Sequence, residues 1–355
     1  CTSAHPTLPH PNLHSSPESD LDLCLQIPSD TTFTKENGIE AMTNLATKFT
    51  EAGMTDVDTV RLTARIPIVK FNVPYTDDGG EEILVECDLS LQNPLACLNT
   101  SLLLAYSKIS PTTCVLASII KRFAKCRDIN NPSQHTLSSY GYVLMLIHFL
   151  TSCDFTEDGF VIVSEKANQP ILPNLQWVDP LWAQNPVGPY REIPARPKNE
   201  HSMVQHPTEG NYKVNSYFYH SGLDGLKRFC SSNHNPQTSI GALLASFFHY
   251  FAYDFDYKKH IVSLNRKHSS PQMEREVKAE EDGWSTFRHG LAIEDPFELF
   301  YDVAHVVKGS NHHHIQKEFS LAYTKIANAA YKNGDLPTGR ELVDLICEPV
   351  SDDDA

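Results

Sequence analysis

Apolar and polar residues alternate at the start of the chain with the spacing of a β-strand. Asp20 and Asp22 alternate with leucines at 21, 23 and 25. Because successive side chains of a strand point to opposite faces, the leucines would anchor one face and both acids would lie on the other. The segment predicts a strand that presents two carboxylates side by side.

The next seventy residues predict a small mixed sheet with one helix. Apolar residues recur at helical spacing over 36–53, and Gly53 is a plausible C-cap. Runs at 61–71 and 83–87 are rich in β-branched residues and predict strands. Asp-Asp-Gly-Gly at 77–80 predicts a hairpin between them.

From Pro94 onward the pattern becomes helical. Amphipathic or apolar stretches predict helices at 95–109, 114–127, 138–150 and 240–254. A domain boundary near 95 follows, with one domain at 1–95 and a helical domain at 96–355. The proline-rich stretch 177–211 and the charged stretch 265–283 predict inserted loops rather than core elements.

Composition narrows the class of protein. The chain has 355 residues, 41% of them hydrophobic, and 44 acids against 29 bases give a net charge of −15. This charge argues against a protein that coats nucleic acid along its length, although it allows one that grips a short end. No apolar run reaches the length of a membrane span.

The nine cysteines show no CxxC zinc pattern and lie mostly in apolar runs. They are typical of free thiols in a reducing compartment, so we expect a soluble cytoplasmic protein with no membrane contact. The chain starts with Cys rather than Met, which predicts a fragment excised from a longer protein.

The acids supply the candidate chemistry. Asp88 follows the run 83–87, and if its strand pairs with that of Asp20 and Asp22, three carboxylates converge. Hard oxygen ligands of this kind suit Mg²⁺ or Mn²⁺, and two cations about 3.5–4 Å apart serve phosphoryl or nucleotidyl transfer. The alternative is that these acids are solvated residues in loops.

Seven sequence blocks occur in the order and at the spacing of a known family. They are Glu18-Ser-Asp-Leu-Asp-Leu-Cys24, Ile66-Pro-Ile-Val-Lys-Phe71, Cys87-Asp-Leu-Ser90 with Asn99-Thr-Ser-Leu-Leu103, Ser138-Ser-Tyr-Gly-Tyr142, Gln169-Pro-Ile-Leu-Pro-Asn-Leu-Gln176, Ser239-Ile-Gly-Ala-Leu-Leu244 and Ile293-Glu-Asp-Pro-Phe-Glu298. With them the chain resembles the noncanonical template-independent RNA nucleotidyltransferases, the terminal uridylyltransferases and GLD-type poly(A) polymerases.

The resemblance implies an α+β fold. A polymerase-β-like mixed-sheet catalytic domain would be followed by a mostly helical central domain that includes a PAP-associated region at about 238–307, with a cleft between the domains. The implied activity is addition of ribonucleotides to RNA 3′ ends with release of pyrophosphate, a reaction of mRNA decay. The implied partners are the RNA 3′ end, a ribonucleoside triphosphate and a protein that recruits RNA, and the enzyme would act as a monomer.

The resemblance also implies roles for single residues. Asp20, Asp22 and Asp88 would be catalytic and hold two Mg²⁺ or Mn²⁺ ions. The implied nucleotide-binding set comprises Lys121, Lys125 and Ser139 for the triphosphate, Tyr140 for stacking on the base, Asn99 and Thr100 for the ribose, and Asn93, Asp295, Glu298, Tyr301, Asp302 and His305.

Base choice is expected to depend on Tyr301 and Asp302. Relatives that add uridine carry His where this chain has Tyr301. A carboxylate can accept a hydrogen bond from the exocyclic amine of cytosine or adenine, whereas it repels the carbonyl of uracil. Tyr301 would keep the pocket small, so CTP is our first hypothesis, as in the fungal cytidine-adding enzymes of the CutA type. UTP and ATP remain the alternatives.

One family element has no counterpart in the pattern. The family carries a Gly-Ser pair at a helix start upstream of the two acids, where backbone N–H groups bind the triphosphate. The first 37 residues contain no Gly. Either Ser15-Ser16 substitutes, or Thr2-Ser3 is a remnant of an element that was cut off. If the element is absent, nucleotide affinity should fall. The rival to an enzyme is a catalytically weak nucleotide-binding scaffold of the same fold that recruits partners through its acidic surface.

Overall fold

The computed structural model describes residues 20–27, 35–76, 80–155, 161–163, 170–176, 189–194, 210–220, 222–226, 239–265, 273–284 and 290–348. Ser15-Ser16 and Thr2-Ser3 lie outside these residues. The chain divides into two compact units, of which the first holds 20–101 with 190–194 and 210–214. The second holds the other described residues.

A four-stranded mixed sheet is the centre of the first unit. Its strands are β1 (Leu21–Leu25), β2 (Thr55–Asp58), β3 (Ile68–Thr76) and β4 (Glu82–Leu91), in the spatial order β1-β4-β3-β2. β1 runs parallel to β4, and the other neighbouring strands are antiparallel. The two strands that flank the predicted hairpin pair antiparallel, with Thr76 opposite Glu82, and residues 77–79 lie outside the described residues.

The apolar face of this sheet packs on helix α1 (Lys35–Glu51). Met42 and Ala46 of α1 are buried against Val69 and Phe71 of β3, and the leucines of β1 join the same cluster. α1 ends in the hydrogen bond from the Met54 amide to the Phe49 carbonyl, 3.0 Å. Gly53 has φ +88° at this turn, a left-handed conformation that glycine adopts without steric cost, so its predicted capping role is confirmed.

Helices dominate the rest of the chain. They are α2 (Pro94–Ile109), α3 (Pro111–Cys126), α4 (Ser139–Ser152), α5 (Leu223–Leu226), α6 (Ile240–His249), α7 (Arg275–Asp282), α8 (Asn311–Asn333) and α9 (Gly339–Cys347). A π-helical turn, Tyr250–Asp254, continues α6. The short strands are β5 (Cys153–Phe155), β6 (Val161–Val163), β7 (Tyr190–Pro194), β8 (Asn211–Asn215), β9 (His260–Ile261) and β10 (Met273–Glu274), paired β5-β6, β7-β8 and β9-β10.

An aromatic core holds the second unit together. Phe319 of α8 lies within 5.6 Å, centroid to centroid, of Phe247 and of Phe248, both in α6. Phe123 of α3 contacts Phe248 at 4.9 Å. All four rings are buried, and burial of a large apolar side chain contributes about 1.5–3 kcal/mol.

The mixed sheet and the helical part confirm the predicted α+β class. The four predicted helices correspond to α2, α3, α4 and α6 with its π-helical turn. The Ser138 side chain accepts the Gly141 amide at the start of α4. The proposed boundary near 95 falls within α2, which passes from the first unit to the second after Ser101. Among the described residues, no helix has the length and apolar character needed to cross a bilayer.

Four predictions of local structure were wrong in part. Residues 60–63 form a 3₁₀ turn, and the strand predicted over 61–71 begins only at Ile68. β4 continues to Leu91, so Asp88 lies inside the strand and not after it. In the predicted loop 177–211, Tyr190–Pro194 form β7, because pairing with β8 satisfies their backbone. In the predicted loop 265–283, Met273–Glu274 form β10 and Arg275–Asp282 form α7.

Buried charge explains why the charged stretch folds. Lys278 of α7 forms an ion pair with Glu294, and both side chains are almost fully buried. Glu294 also accepts a hydrogen bond from the Ser263 hydroxyl, and Lys278 lies 5.4 Å from the ring centroid of Trp284. Buried charges of this kind persist only when they are paired and hydrogen-bonded.

Replacing Glu294 by Ala should lower the stability of the second unit by about 3–5 kcal/mol, because the buried ammonium of Lys278 loses its carboxylate partner. Chemical denaturation followed by tryptophan fluorescence measures the change. The double variant Lys278→Met, Glu294→Leu should recover much of the loss, and Lys258→Met, which changes an exposed lysine, is the control. A Glu294→Ala variant as stable as the parent would show that the pair contributes little.

Candidate active site

The pairing of β1 with β4 brings two of the three predicted acids together. Asp22 is the register partner of Asp88 across the parallel pair, so their side chains leave the same face of the sheet. Asp20 lies two residues before Asp22 and belongs to that face. Asp20 and Asp22 are exposed, whereas Asp88 is partly buried. The opposite face carries the leucines that pack on α1.

Lys70 is a site residue that our sequence reasoning did not single out. It is the register partner of Asp88 across the antiparallel pair β3-β4. Its Nζ atom lies 2.8 Å from Oδ1 and 2.7 Å from Oδ2 of Asp88, so one ammonium contacts both oxygens. A lone Lys in the otherwise apolar Ile-Pro-Ile-Val-Lys-Phe run was the available signal, because a charge on a strand within a sheet needs a partner.

The described side chains do not form a ready-made metal site in this structure. No group of three Asp, Glu, His or Cys side chains among them is close enough to hold a metal ion. The donors nonetheless fit Mg²⁺ or Mn²⁺ in chemistry, since all three are carboxylates and two are register partners. A cation bound there would share the oxygens of Asp88 with Lys70 or displace it.

The start of α2 adds three predicted residues beside this strand pair. The Asn93 side chain caps the helix by accepting the Ala96 amide at 3.1 Å. Asn99 and Thr100 follow in α2 and are partly buried. Oδ1 of Asn99 is buried without a hydrogen-bond partner among the described residues. A buried acceptor in this state is expected to meet a donor from a ligand.

The remaining nine predicted residues all lie in the second unit. Lys121 and Lys125 are four residues apart on α3 and therefore share one face, with Lys121 partly buried and Lys125 exposed. The Ser139 hydroxyl accepts a hydrogen bond from the side-chain amide (Nδ2) of Asn130 at 2.9 Å. These positions present two cations on one helix and a hydroxyl at the first turn of α4.

Tyr140 is joined to the segment that carries the other predicted residues. Its hydroxyl donates to Oδ2 of Asp295 at 3.3 Å. Burial raises the pKa of Tyr140 well above its usual value, and the Asp295 carboxylate adds to this effect, followed by Glu298. The tyrosine therefore stays neutral and serves as a donor at any physiological pH.

Two carboxylates hold the segment that follows Ile293 by accepting hydrogen bonds from its backbone amides. Oδ1 of Asp295 accepts the Phe297 amide at 2.9 Å and the Glu298 amide at 2.8 Å. Oδ1 of Asp302 accepts the amides of Ile293 and Ala304, both at 2.9 Å. Glu298 is fully buried. The segment is thus held by side-chain acceptors in place of a continuous strand or helix.

Asp302 and Tyr301 occupy different surroundings. Tyr301 lies beside Asp295 and Glu298, because its carbonyl accepts a hydrogen bond from the Asp295 amide at 3.1 Å and its amide donates to the Glu298 carbonyl at 2.7 Å. Asp302 is buried and lines a cavity of about 220 Å³, which is also lined by Arg275, Ala292, Lys308 and His312. Nδ1 of His305 donates to the Asp302 carbonyl at 2.7 Å, and its ring centroid lies 5.1 Å from that of Tyr301.

Two protein-family descriptions match separate parts of the chain. The family described as "Poly(A) RNA polymerase, mitochondrial-like, central palm domain" matches residues 10–108. The family described as "Cid1 family poly A polymerase" matches residues 239–299. The first range contains Asp20, Asp22 and Asp88, and the second contains Asp295 and Glu298.

The chain is similar to terminal uridylyltransferases over most of its length. It is 28% identical to Terminal uridylyltransferase 4 of Mus musculus over 85% of this chain and 15% of that protein. It is 28% identical to Terminal uridylyltransferase cid1 of Schizosaccharomyces pombe over 76% of this chain and 56% of that protein. The chain thus spans well under two thirds of both relatives.

A solved structure has the same fold. The structure of Cid1 in complex with the UTP analog UMPNPP aligns with a TM-score of 0.60 and 26% identity, covering 87% of this chain and 76% of that chain. The two matching domains, the relatives and this fold agree with one another. The chain is therefore similar, in both matched ranges and in fold, to the noncanonical terminal nucleotidyltransferases that include Cid1.

Proposed function

We propose that this chain transfers nucleotides from a ribonucleoside triphosphate to the 3′ end of RNA. The observation that carries the proposal is the register of Asp22 with Asp88, which puts two family acids on one face of the sheet. The relatives are named as terminal uridylyltransferases, and the compared Cid1 structure holds a UTP analog. Nucleotide and RNA would be the two substrates.

Three carboxylates would hold the divalent cations. When bound, Mg²⁺ or Mn²⁺ at Asp20, Asp22 and Asp88 would stabilise negative charge on the attacking and leaving oxygens. In the reaction the RNA 3′-oxygen bonds to the α-phosphorus, the bond from phosphorus to the bridging oxygen breaks, and pyrophosphate leaves. We assign to Asp88 the removal of the proton from the 3′-hydroxyl, and to Lys70 the stabilisation of Asp88 as a carboxylate before substrate arrives.

The nucleotide contacts follow from the chemistry of the remaining residues. The unpartnered Oδ1 of Asn99 suits the 2′-hydroxyl of a ribose, which would favour ribonucleotides over deoxyribonucleotides. Lys121 and Lys125 would supply positive charge for the triphosphate. The Ser139 hydroxyl would donate a hydrogen bond to the same phosphates. Tyr140, held by Asp295, offers a ring for stacking on the base.

CTP remains our first proposal for the nucleotide. Tyr301, which stands where uridine-adding relatives have His, is bonded through its backbone to Asp295 and Glu298. By resemblance Asp302 would meet the base, where its negative charge would favour an exocyclic amine, and this would require the carboxylate to reach beyond the cavity that it lines with Arg275. Asp302 also accepts hydrogen bonds from two backbone amides, which gives it a structural role. If that is its whole role, UTP or ATP would be the substrate. The seven free cysteines among the described residues agree with a reducing compartment, and we propose the cytoplasm.

Primer extension tests the activity. An RNA oligonucleotide with each of the four NTPs and Mg²⁺ or Mn²⁺ should be extended, and Asp88→Asn should reduce the rate by roughly 10²–10⁴-fold because it removes a charged ligand. Glu82→Gln, six residues earlier on β4 and exposed, should leave the rate unchanged. A parent protein that binds nucleotide and extends no primer would favour the nucleotide-binding scaffold.

Lys70 should compete with the cation for Asp88. Lys70→Met is expected to lower the Mn²⁺ concentration for half-maximal binding, because the ammonium no longer contacts both oxygens of the carboxylate. Calorimetric titration of the NTP-free protein measures this, with Lys48→Met on α1 as the control. An unchanged or weaker affinity for Mn²⁺ would mean that Lys70 does not oppose the metal.

The base preference is tested by competition among the four NTPs. Asp302→Asn keeps a carbonyl Oδ1 that can accept the Ile293 and Ala304 amides, and it removes the charge. We expect the ratio of CTP to UTP incorporation to fall by about 10-fold, since one base-reading contact is worth about 1–3 kcal/mol. Equal ratios in the parent and the variant would restrict Asp302 to its structural role.

A further inference from the structure

Two thiols lie beside the acid strand, and nucleotidyl transfer makes no use of them. Cys24 is on β1, two residues after Asp22, and Cys97 is in the first turn of α2. The two thiols are close enough for each to shift the pKa of the other. The Cys24 thiol also contacts the Asn93 carbonyl, 3.7 Å from Sγ to O, and the Cys97 amide contacts the same oxygen at 3.4 Å.

The pair is built into the fold and open to small reagents. Strand pairing fixes Cys24, because it is the register partner of Ser90, whose hydroxyl donates to the Leu23 carbonyl at 3.0 Å. The side-chain amide (Nε2) of Gln26 donates a hydrogen bond to the Cys97 sulfur at 3.4 Å. Both cysteines are partly exposed. Two neighbouring thiols that are reachable from solvent are candidates for a disulfide, because both residues meet the same Asn93 carbonyl.

We propose that Cys24 and Cys97 form a reversible disulfide under peroxide and that this bond lowers the activity of the adjacent acid site. One thiol attacks hydrogen peroxide, its sulfur is oxidised to a sulfenic acid, and one water leaves. The second thiol attacks that sulfur, the S–S bond forms, and a second water leaves. Two thiols and one peroxide thus give one disulfide and two waters, and a dithiol reductant reverses the change.

The effect on the site follows from what each cysteine is attached to. A disulfide brings the sulfurs to about 2 Å, closer than a thiol hydrogen bond does. Because β1 is held in the sheet, the start of α2 takes up most of the movement. That turn carries Asn93, which caps the helix, and it leads into Asn99 with its unpartnered oxygen. Catalytic constellations tolerate displacements of only about 0.5 Å, so the oxidised protein should be slow.

A second thiol contact provides an internal comparison. Cys126 at the end of α3 and Cys347 at the end of α9 are also neighbours, since burial and then the Cys126 thiol raise the pKa of Cys347 to about 11. This pair joins two helices of the second unit and is remote in sequence from the three acids. Its oxidation should not reproduce the effect of the first pair.

The test combines a peptide map with primer extension, and its activity arm rests on the proposed function. The parent protein, Cys97→Ser and Cys126→Ser are treated with hydrogen peroxide, quenched, digested without reductant and analysed by mass spectrometry. We expect a peptide pair linked through Cys24 and Cys97 in the parent and in Cys126→Ser, with at least a 10-fold loss of extension that dithiothreitol restores. Cys97→Ser should keep its activity under the same dose.

The outcomes separate this proposal from the proposed function. No peptide linked through Cys24 and Cys97, or a linked protein with undiminished extension, would overturn the proposal. Equal inactivation of Cys97→Ser would assign the loss to another residue. A reduced parent that extends no RNA would contradict the proposed function, and the peptide map together with Mn²⁺ binding before and after oxidation would still decide whether the disulfide forms and disturbs the acid site.

Discussion

The register of three strands around Asp88 is the constraint on which the candidate site depends. Parallel pairing sets Asp22 opposite Asp88, and antiparallel pairing on the other edge of β4 sets Lys70 opposite the same residue. A slip of one residue in either pairing would turn the acids toward α1 and the leucines toward solvent. The apolar cluster under the sheet therefore stabilises the position of the carboxylates as well as the fold, since burial selects the register.

Strand and helix periodicity carried enough information to predict this part of the molecule. The alternation of acids with leucines at 20–25 predicted their face, and the spacing of apolar residues predicted α1 through α4 and α6. The register of the strands could not be predicted from the sequence pattern, because many pairings of β3 with β4 satisfy the same alternation of apolar and polar residues. Lys70 was missed for the same reason, since nothing local to its strand reveals the carboxylate across from it.

Buried charge is the second reason that local patterns failed. The stretch 265–283 has the composition of a solvated loop, yet Lys278 is paired in the core with Glu294, a residue 16 positions later. Arg275 is likewise buried and donates to the carbonyls of Tyr257 and Gly290. Composition counts charges, whereas only the tertiary partner decides whether a charge is solvated. Asp302 and Asp295 are also buried charges with tertiary partners. Their carboxylates accept hydrogen bonds from backbone amides that no regular helix or strand satisfies.

The two-residue period of β1 also links the acids to the thiol. Residues 20, 22 and 24 share one face, so the arrangement that presents Asp20 and Asp22 presents Cys24 next in line. The start of α2 covers that end of the face, and its Asn93 carbonyl meets the Cys24 thiol while its Asn93 side chain caps the helix. In the proposed oxidation, an S–S bond between Cys24 and Cys97 would therefore act on the helix that carries Asn99 through a single capped turn. Chemistry at the acids and chemistry at the thiols thus share one support, which is β1 together with the first turn of α2.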